Sequence, residues 1–395
     1  MVFALAARRT PIGRYGGTFR DTHPADLGAA AVRAAIAEAA VAPELIEEVA
    51  IGHARQAGSG PNPARQVGRR AGLPDAVIAH TINKACASGL EALAQGARTI
   101  LLGEADLVLA GGIESMSRMP YLMDAADARW GHKLGSFPLV DAMYRDGFTC
   151  PLSGMVMGET AELLAREYGI TREDSDAFAL GSQQKAARAA ADGAFAAELV
   201  PVTVPGPKGP VTLNADEHPR ADTTLDALAR LAPTFTLDGR PGIITPGSAS
   251  GITDGGAAVV LASARAVDRH GLSPVARITG WASAGVDPRR MGIGPVPAVR
   301  KLLAQQSLSL DDFDLVELNE AFAPQVLAVL RDLPIPDNKL NVHGGAIALG
   351  HPIGATGARI VVTLIHALRR RGLKRGLATL CVSGGLGMAM AIESV

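Results

Sequence analysis

Cysteine is scarce in this chain. Three occur in 395 residues, at positions 86, 150 and 381, an odd number with no C-x-x-C spacing. That excludes a disulfide framework and a structural zinc site, and fits a reducing compartment. Charge of one sign is missing too: 38 Lys and Arg stand against 39 Asp and Glu, a net charge of -1. No global field gathers nucleic acid or an anionic membrane surface, so neither is expected as a partner; only a local basic pocket stays open. A long apolar run is absent. The N-terminal MVFALAARRTPIGRYGG places a short apolar stretch ahead of its arginines, the reverse of an export signal's order, so no export is expected. The uncharged stretch 376–392 is short of a membrane span and is broken by Gly384, Gly385 and Gly387, as in strand, turn, strand. A cytoplasmic location is expected. Cofactor and metal signatures are missing as well: no G-x-G-x-x-G between strand and helix, no H-E-x-x-H and no Walker lysine loop. Neither a metal nor a permanently bound cofactor is expected.

What is present reads as a folded α/β protein. Hydrophobic residues make up 48% and charged residues 19%, with 45 Gly and 25 Pro to form turns. The length suits two or three domains or one large α/β unit. Two stretches share one grammar of turn, helix, strand and Gly-Gly: NKACASGLEALAQGARTILLGEADLVLAGG from Asn83, and HPIGATGARIVVTLIHALRRRGLKRGLATLCVSGG from His351. Leu90, Leu93, Ala94, Ala97 and Leu101 fall on one helical face in the first, and Ile360, Val361, Leu364, Ile365 and Leu368 in the second. The strands that follow are nearly all apolar, as strands covered on both faces are. EEVAIGHA near Val49 and DFDLVELNEAFA near Val316 precede the two units as buried strands, so the chain reads as two related βα halves. Between them, roughly 119 to 245, prolines and mixed charge predict loops and short helices, either an insertion over the first half or a separate lid.

Four residues carry candidate chemistry. Cys86 lies between a strand, AVIAHTI, and a helix start, where free backbone N–H groups and the positive helix end are expected to lower the thiol pKa. His351 sits among five glycines just before a helix whose expected N-cap is Thr356. Cys381 ends a buried strand at the place where the second half faces the first. Asn319 stands at the exit of a neighbouring strand, an amide able to hold a water or an oxyanion. Cys150 and the remaining histidines, scattered without ligand spacing, are given no role.

Seven blocks, NKACASGLEAL, GGIESMS, SASGITDGGAA, RMGIGPVPA, NEAFA, NVHGGAIALGHPIGATGAR and CVSGGLG, occur in that order over nearly the whole chain. They resemble the signature blocks of the thiolase family, acetyl-CoA C-acyltransferases. The resemblance implies a five-layered αβαβα fold from two similar halves, 1–268 and 272–395, with a loop domain at about 119–245 inserted in the first. It implies a ping-pong acyl transfer, cleaving 3-ketoacyl-CoA with CoA or condensing two acetyl-CoA, with coenzyme A as substrate and product. By the same resemblance Cys86 carries the acyl group, His351 takes its proton and Cys381 exchanges the α-carbon proton. One oxyanion is met by His351 and a water on Asn319, the other by the backbone N–H groups of Cys86 and Ser383. Ser250, Met157 and Phe322 accompany the pantetheine arm, and Arg220 the nucleotide end. A homodimer or homotetramer is implied.

Three departures from the family pattern stand out. Many thiolases have glycine where this chain has Ser383; its N–H is retained, and an ordinary φ is expected there. Val156 replaces a histidine common in acetoacetyl-specific members, and His343, read as a surface residue, replaces an asparagine. Ketoacyl synthases and hydroxymethylglutaryl-CoA synthases share the fold but not this set; ketoacyl synthases pair cysteine with two histidines, whereas the third member here is Cys381. A thiolase-like protein that binds acyl-CoA or lipid without turnover is the non-enzymatic alternative, and it predicts a missing nucleophile or base. Chain length and physiological direction stay open.

Overall fold

A computed structural model describes residues 1–395. Nine strands build the body: β1 (Val2–Arg9), β2 (Glu48–His53), β3 (Ile78–Ile82), β4 (Leu107–Ser115), β5 (Thr253–Ser263), β6 (Ala276–Gly285), β7 (Leu315–Leu318), β8 (Arg375–Val382) and β9 (Leu386–Ser394). The main helices are α1 (Pro24–Ala39), α2 (Pro63–Ala71), α3 (Ser88–Leu102), α4 (Met157–Tyr168), α5 (Arg172–Ala191), α6 (Pro295–Gln306), α7 (Ala323–Asp332) and α8 (Ile353–Arg371).

The sheet order is β7-β8-β9-β6-β1-β5-β4-β2-β3. Its two ends repeat one pattern. In the first half β2 runs parallel to β4, and β4, β5 and β1 follow antiparallel. In the second β7 runs parallel to β8, and β8, β9 and β6 follow antiparallel. Even β3 has its counterpart, a single parallel bridge between Val316 and Leu340. The halves meet edge to edge where Val2–Ala4 pair with Ala276–Ile278.

Three cores separate the layers. One lies between α1, α2 and the first sheet half; the largest surrounds α3 and α8 between the halves; the third lies between α6, α7 and the second sheet half. The fold is the five-layered αβαβα arrangement expected. Helix α8 is buried nearly all round because it is central: all five of its predicted face residues are buried, with most of the rest, Thr356, Arg359, Thr363 and His366 among them. Helix α3 buries Leu90, Leu93, Ala94 and Ala97, but Leu101 is 58% exposed, and Ile100 takes the inward position in the last turn. Glycines let the two central helices touch backbone to backbone. A Cβ on Gly89 lies 2.7 Å from the Ala358 nitrogen, and one on Gly357 lies 2.3 Å from the Leu90 nitrogen.

The segment between β4 and β5 is more helical than predicted. It holds α4 and α5, of 12 and 20 residues, in the only long stretch of the insertion without proline, between Pro151 and Pro201. Thr171 caps α5, its hydroxyl accepting from the Asp174 N–H at 3.1 Å while the Asp174 carboxylate accepts from the Thr171 N–H. Alanine on every side of α5 blurs its apolar face, which hides the helix from a periodicity reading. Both helices rest on α7, so the insertion covers the second half, not the first alone.

Candidate active site

The loop ends of the two halves converge on one place. Cys86 follows β3 through a tight turn in which Ala85 has φ of 44°, and α3 begins two residues later. Ser88 holds that turn closed: its hydroxyl accepts from the Lys84 N–H at 2.9 Å and donates to the Ala85 carbonyl at 2.6 Å. His351 stands at the mouth of α8, its N–H on the Gly251 carbonyl at 3.0 Å. Cys381 is the penultimate residue of β8, and the following turn places its positive φ angles on Gly384 and Gly385. Ser383 therefore keeps the ordinary φ expected of it.

Thr356 is not the N-cap of α8; Pro352 is, and Thr356 lies inside the first turn. Its hydroxyl donates to the Pro352 carbonyl at 3.0 Å, as a threonine in a helix does to a preceding turn. The same oxygen lies 2.6 Å from His351 Nδ1. With its one proton committed, it accepts, so Nδ1 carries the imidazole proton and Nε2 keeps a free lone pair. Burial, with Arg359 and Arg55 nearby, pulls the His351 pKa down to about 3. The imidazole is a neutral base at pH 7.

The Cys86 thiol also departs from expectation. Burial pushes it up, against the pull of Arg55 and of the backbone N–H groups of Ser383 and Cys86 that face its sulfur. The helix start acts only through the single residue Ala87 between thiol and helix, while the loss of solvent acts on the whole charge. Burial and the nearness of Cys86 push the Cys381 thiol up as well. All three groups are neutral at rest.

They open on one cavity of about 510 Å³. Cys86, His351, Cys381 and Ser383 line its floor; Ser250, Met157, Phe322 and Arg220 line the rest, as does Val156. Phe322 meets Phe235 edge to face, with 5.9 Å between ring centres. Asn319 is not part of the lining. It is 1% exposed, and neither its amide nitrogen nor its amide oxygen has a partner in the protein. His343 is no surface residue: it is buried, edge-on to Phe195 at 5.8 Å, and outside the cavity. A larger groove of about 1020 Å³ beside Arg20, Arg33 and Arg118 has no thiol and no base matched to one.

Family models describe this arrangement. One for the thiolase N-terminal domain matches residues 2–265, and one for the thiolase C-terminal domain matches residues 272–394. The chain belongs to the thiolase family. An acetyl-CoA acetyltransferase of Escherichia coli is 50% identical over 98% of both chains. A β-ketoadipyl-CoA thiolase of Pseudomonas aeruginosa is 50% identical over 100% of this chain and 99% of its own. Among solved structures, the Bacillus anthracis acetyl-CoA acetyltransferase superposes with a TM-score of 0.96 at 44% identity, covering 100% of this chain and 98% of its own. Human mitochondrial 3-ketoacyl-CoA thiolase in complex with CoA does so with 0.94 at 44%, with the same coverage.

Several residues of this thiolase escaped the sequence reading. His218 lines the cavity, its Nδ1 on the Ala348 carbonyl at 2.9 Å and its Nε2 against Gly251, where a Cβ would meet it at 2.0 Å. Its one signal was position, two residues before Arg220 in the same loop. Glu114, inside the block GGIESMS, is fully buried in β4 and ties it to the end of β2 and the first turn of α8. It accepts from the Gly354 N–H at 2.8 Å and from the Arg55 N–H at 3.3 Å, and lies 3.1 Å from His53 Nε2. Arg55 also lines the cavity, and nothing local in the sequence marked it.

Proposed function

We propose that this thiolase transfers acyl groups between carbon and coenzyme A through a thioester on Cys86, by a ping-pong route. One observation carries the reading: a neutral thiol, a neutral imidazole with its free nitrogen fixed by Thr356, and a second buried thiol share one cavity. In the cleaving direction Cys86 gives its proton to His351 Nε2 and attacks the 3-keto carbon of a 3-oxoacyl-CoA. The bond between C2 and C3 breaks, and Cys381, neutral at rest, protonates the departing acetyl-CoA carbanion. The Cys381 thiolate then takes the proton of an incoming CoA, whose sulfur displaces Cys86 from the thioester. Cys86 recovers its proton from His351. Condensation is the same path reversed.

The backbone N–H groups of Cys86 and Ser383 face the sulfur and suit the tetrahedral oxyanion. Protonated His351 and a water on the unpartnered Asn319 amide suit the enolate oxygen. Ser250, Met157 and Phe322 flank the pantetheine arm, and exposed Arg220 suits the phosphates. No other cofactor, metal or nucleic acid is invoked. A homodimer or homotetramer is supported by the edge strand β3, whose Ile78 is 63% exposed. No helix is long and apolar enough to cross a membrane, which is compatible with a cytoplasmic enzyme. The proposed domain division at 268–272 falls between the end of β5 and the start of β6.

Intact mass after brief incubation with acetyl-CoA tests the reading. Wild type gains one acetyl group that free CoA discharges, and Cys86→Ser gains none under the same conditions. Octanoyl-CoA in parallel reports chain length. Binding of acyl-CoA without any adduct replaces the enzyme with the binding-protein alternative.

A further inference from the structure

Arg55 follows β2 into the inner wall of the cavity and is 7% exposed. Its Nη1 donates to the Asp146 carbonyl at 2.7 Å and its Nη2 to the Gly147 carbonyl at 2.9 Å, while Nε is buried with no acceptor. Two of the five guanidinium N–H groups are therefore placed. No carboxylate forms an ion pair with the guanidinium. Glu114 bonds the Arg55 backbone N–H and is otherwise held by Gly354 and His53. No aspartate or glutamate lines the cavity at all. The other two arginines there, Arg14 and Arg220, are solvent-exposed and free to meet phosphates. Arg55 instead shares the cavity lining with Cys86 and His351, and its charge acts on both.

An unpaired cation in a dry wall is costly, and an anionic group placed against it removes that cost, which a plain alkyl tail cannot do. Tyr144 and Phe148, edge to face at 5.5 Å, flank Gly147 and supply apolar surface for methylenes leading to the charge. We infer that Arg55 is a specificity-determining residue, and that this thiolase favours short acyl groups ending in a carboxylate, that is, ω-carboxyacyl-CoA and the matching 3-oxo diacid thioesters. The inference rests on the thioester reading of Cys86. The acylation step is unchanged: a bond forms from Cys86 Sγ to the acyl carbon, the bond to CoA sulfur breaks, the Cys86 proton stays on His351 Nε2, and CoA leaves as its thiol with the proton of Cys381.

The test compares rates of Cys86 acylation by succinyl-CoA and by butanoyl-CoA, which differ in the terminal carboxylate, with thiolysis of acetoacetyl-CoA as reference. Wild type is expected to favour succinyl-CoA by about 10- to 100-fold, the scale of a net hydrogen bond to a charged group. Arg55→Leu loses that ratio even though its overall rate falls, and Arg55→Lys keeps part of it. A wild type that cleaves acetoacetyl-CoA but shows no preference overturns the inference alone, as does an unchanged ratio in Arg55→Leu. Should Arg55→Leu not fold, the wild-type ratio and Arg55→Lys decide. No acylation and no thiolysis overturn the thiolase reading itself, and this inference with it.

Discussion

Cys86 and His351 illustrate how much a few ångströms of burial decide. Both are uncharged at rest, the thiol raised and the imidazole lowered to about 3, so the reactive thiolate arises only when the proton moves between them. Iodoacetamide, which reads thiolate, is expected to alkylate Cys86 slowly at pH 7. The rate then climbs about tenfold per pH unit to beyond the ordinary thiol range near 8.5. A plateau by pH 7 rules out the neutral pair. The sign for His351 follows: a base protonated only near pH 3 causes no loss of kcat/KM between pH 8 and 5.5. Thr356 is the positioning residue for that base. Thr356→Val keeps the shape but frees the Nδ1 proton to change sides, so kcat should drop roughly 100-fold, the scale of a general base, with KM unmoved. Thr356→Ser, which keeps the hydroxyl, should restore most of it. A loss in Thr356→Ser as large as in Thr356→Val would mean that the hydroxyl alone does not position the base.

At the scale of elements, the reaction depends on how closely α3 and α8 cross, because one presents Cys86 and the other His351. Gly357 stands where the helices touch, and its substitution by alanine puts a methyl 2.3 Å from the Leu90 nitrogen. Backbone cannot yield as a side chain does. Gly357→Ala is expected to lower stability by about 3 kcal/mol, the upper end for overpacking. A helix shift near 1 Å would add roughly a 100-fold loss in kcat. Gly181 is the contrast: it lies within α5 with open space around its Cβ and no positive φ. Gly181→Ala should stabilise by about 0.5–1 kcal/mol through helix propensity alone. Urea unfolding of the two variants separates crowding from propensity, and a stable, active Gly357→Ala protein would mean that the helices are not held in close contact.

Across the whole molecule, a buried ionic cluster fastens the insertion to both halves. Arg9 at the end of β1 donates through Nε to Glu198 at 2.7 Å and through Nη1 to Asp216 at 2.7 Å. Glu198 also accepts from the Thr363 hydroxyl of α8 at 3.2 Å. All three charges are almost fully buried, so removing one partner strands the others. Arg9→Leu is expected to cost about 3–5 kcal/mol. It should also loosen the loop from Asp216 to Arg220, raising KM for CoA more than it lowers kcat. An unfolding midpoint and KM both unchanged would show that the insertion is held elsewhere.

Much of this was readable along the chain. The repeated turn, helix and strand around Cys86 and His351 announced two like halves, and the sheet order repeats accordingly. Residue type within ordered blocks placed Cys86, His351, Cys381 and Asn319, because thiol, imidazole and amide chemistry is local to a side chain. The sequence also led to errors where a quantity is summed over neighbours distant in the chain. Desolvation raised the Cys86 thiol that its helix start was expected to lower. Thr356 became the partner of His351 instead of a cap because Pro352 already ends the turn. His343 was drawn inside by packing against Phe195, and His218 and Arg55 reached the cavity from loops 133 and 296 residues before His351. Amino-acid order determined which groups exist and which elements carry them. Only tertiary structure decided their charge and their company, since burial and proximity arise from contacts that no local pattern records.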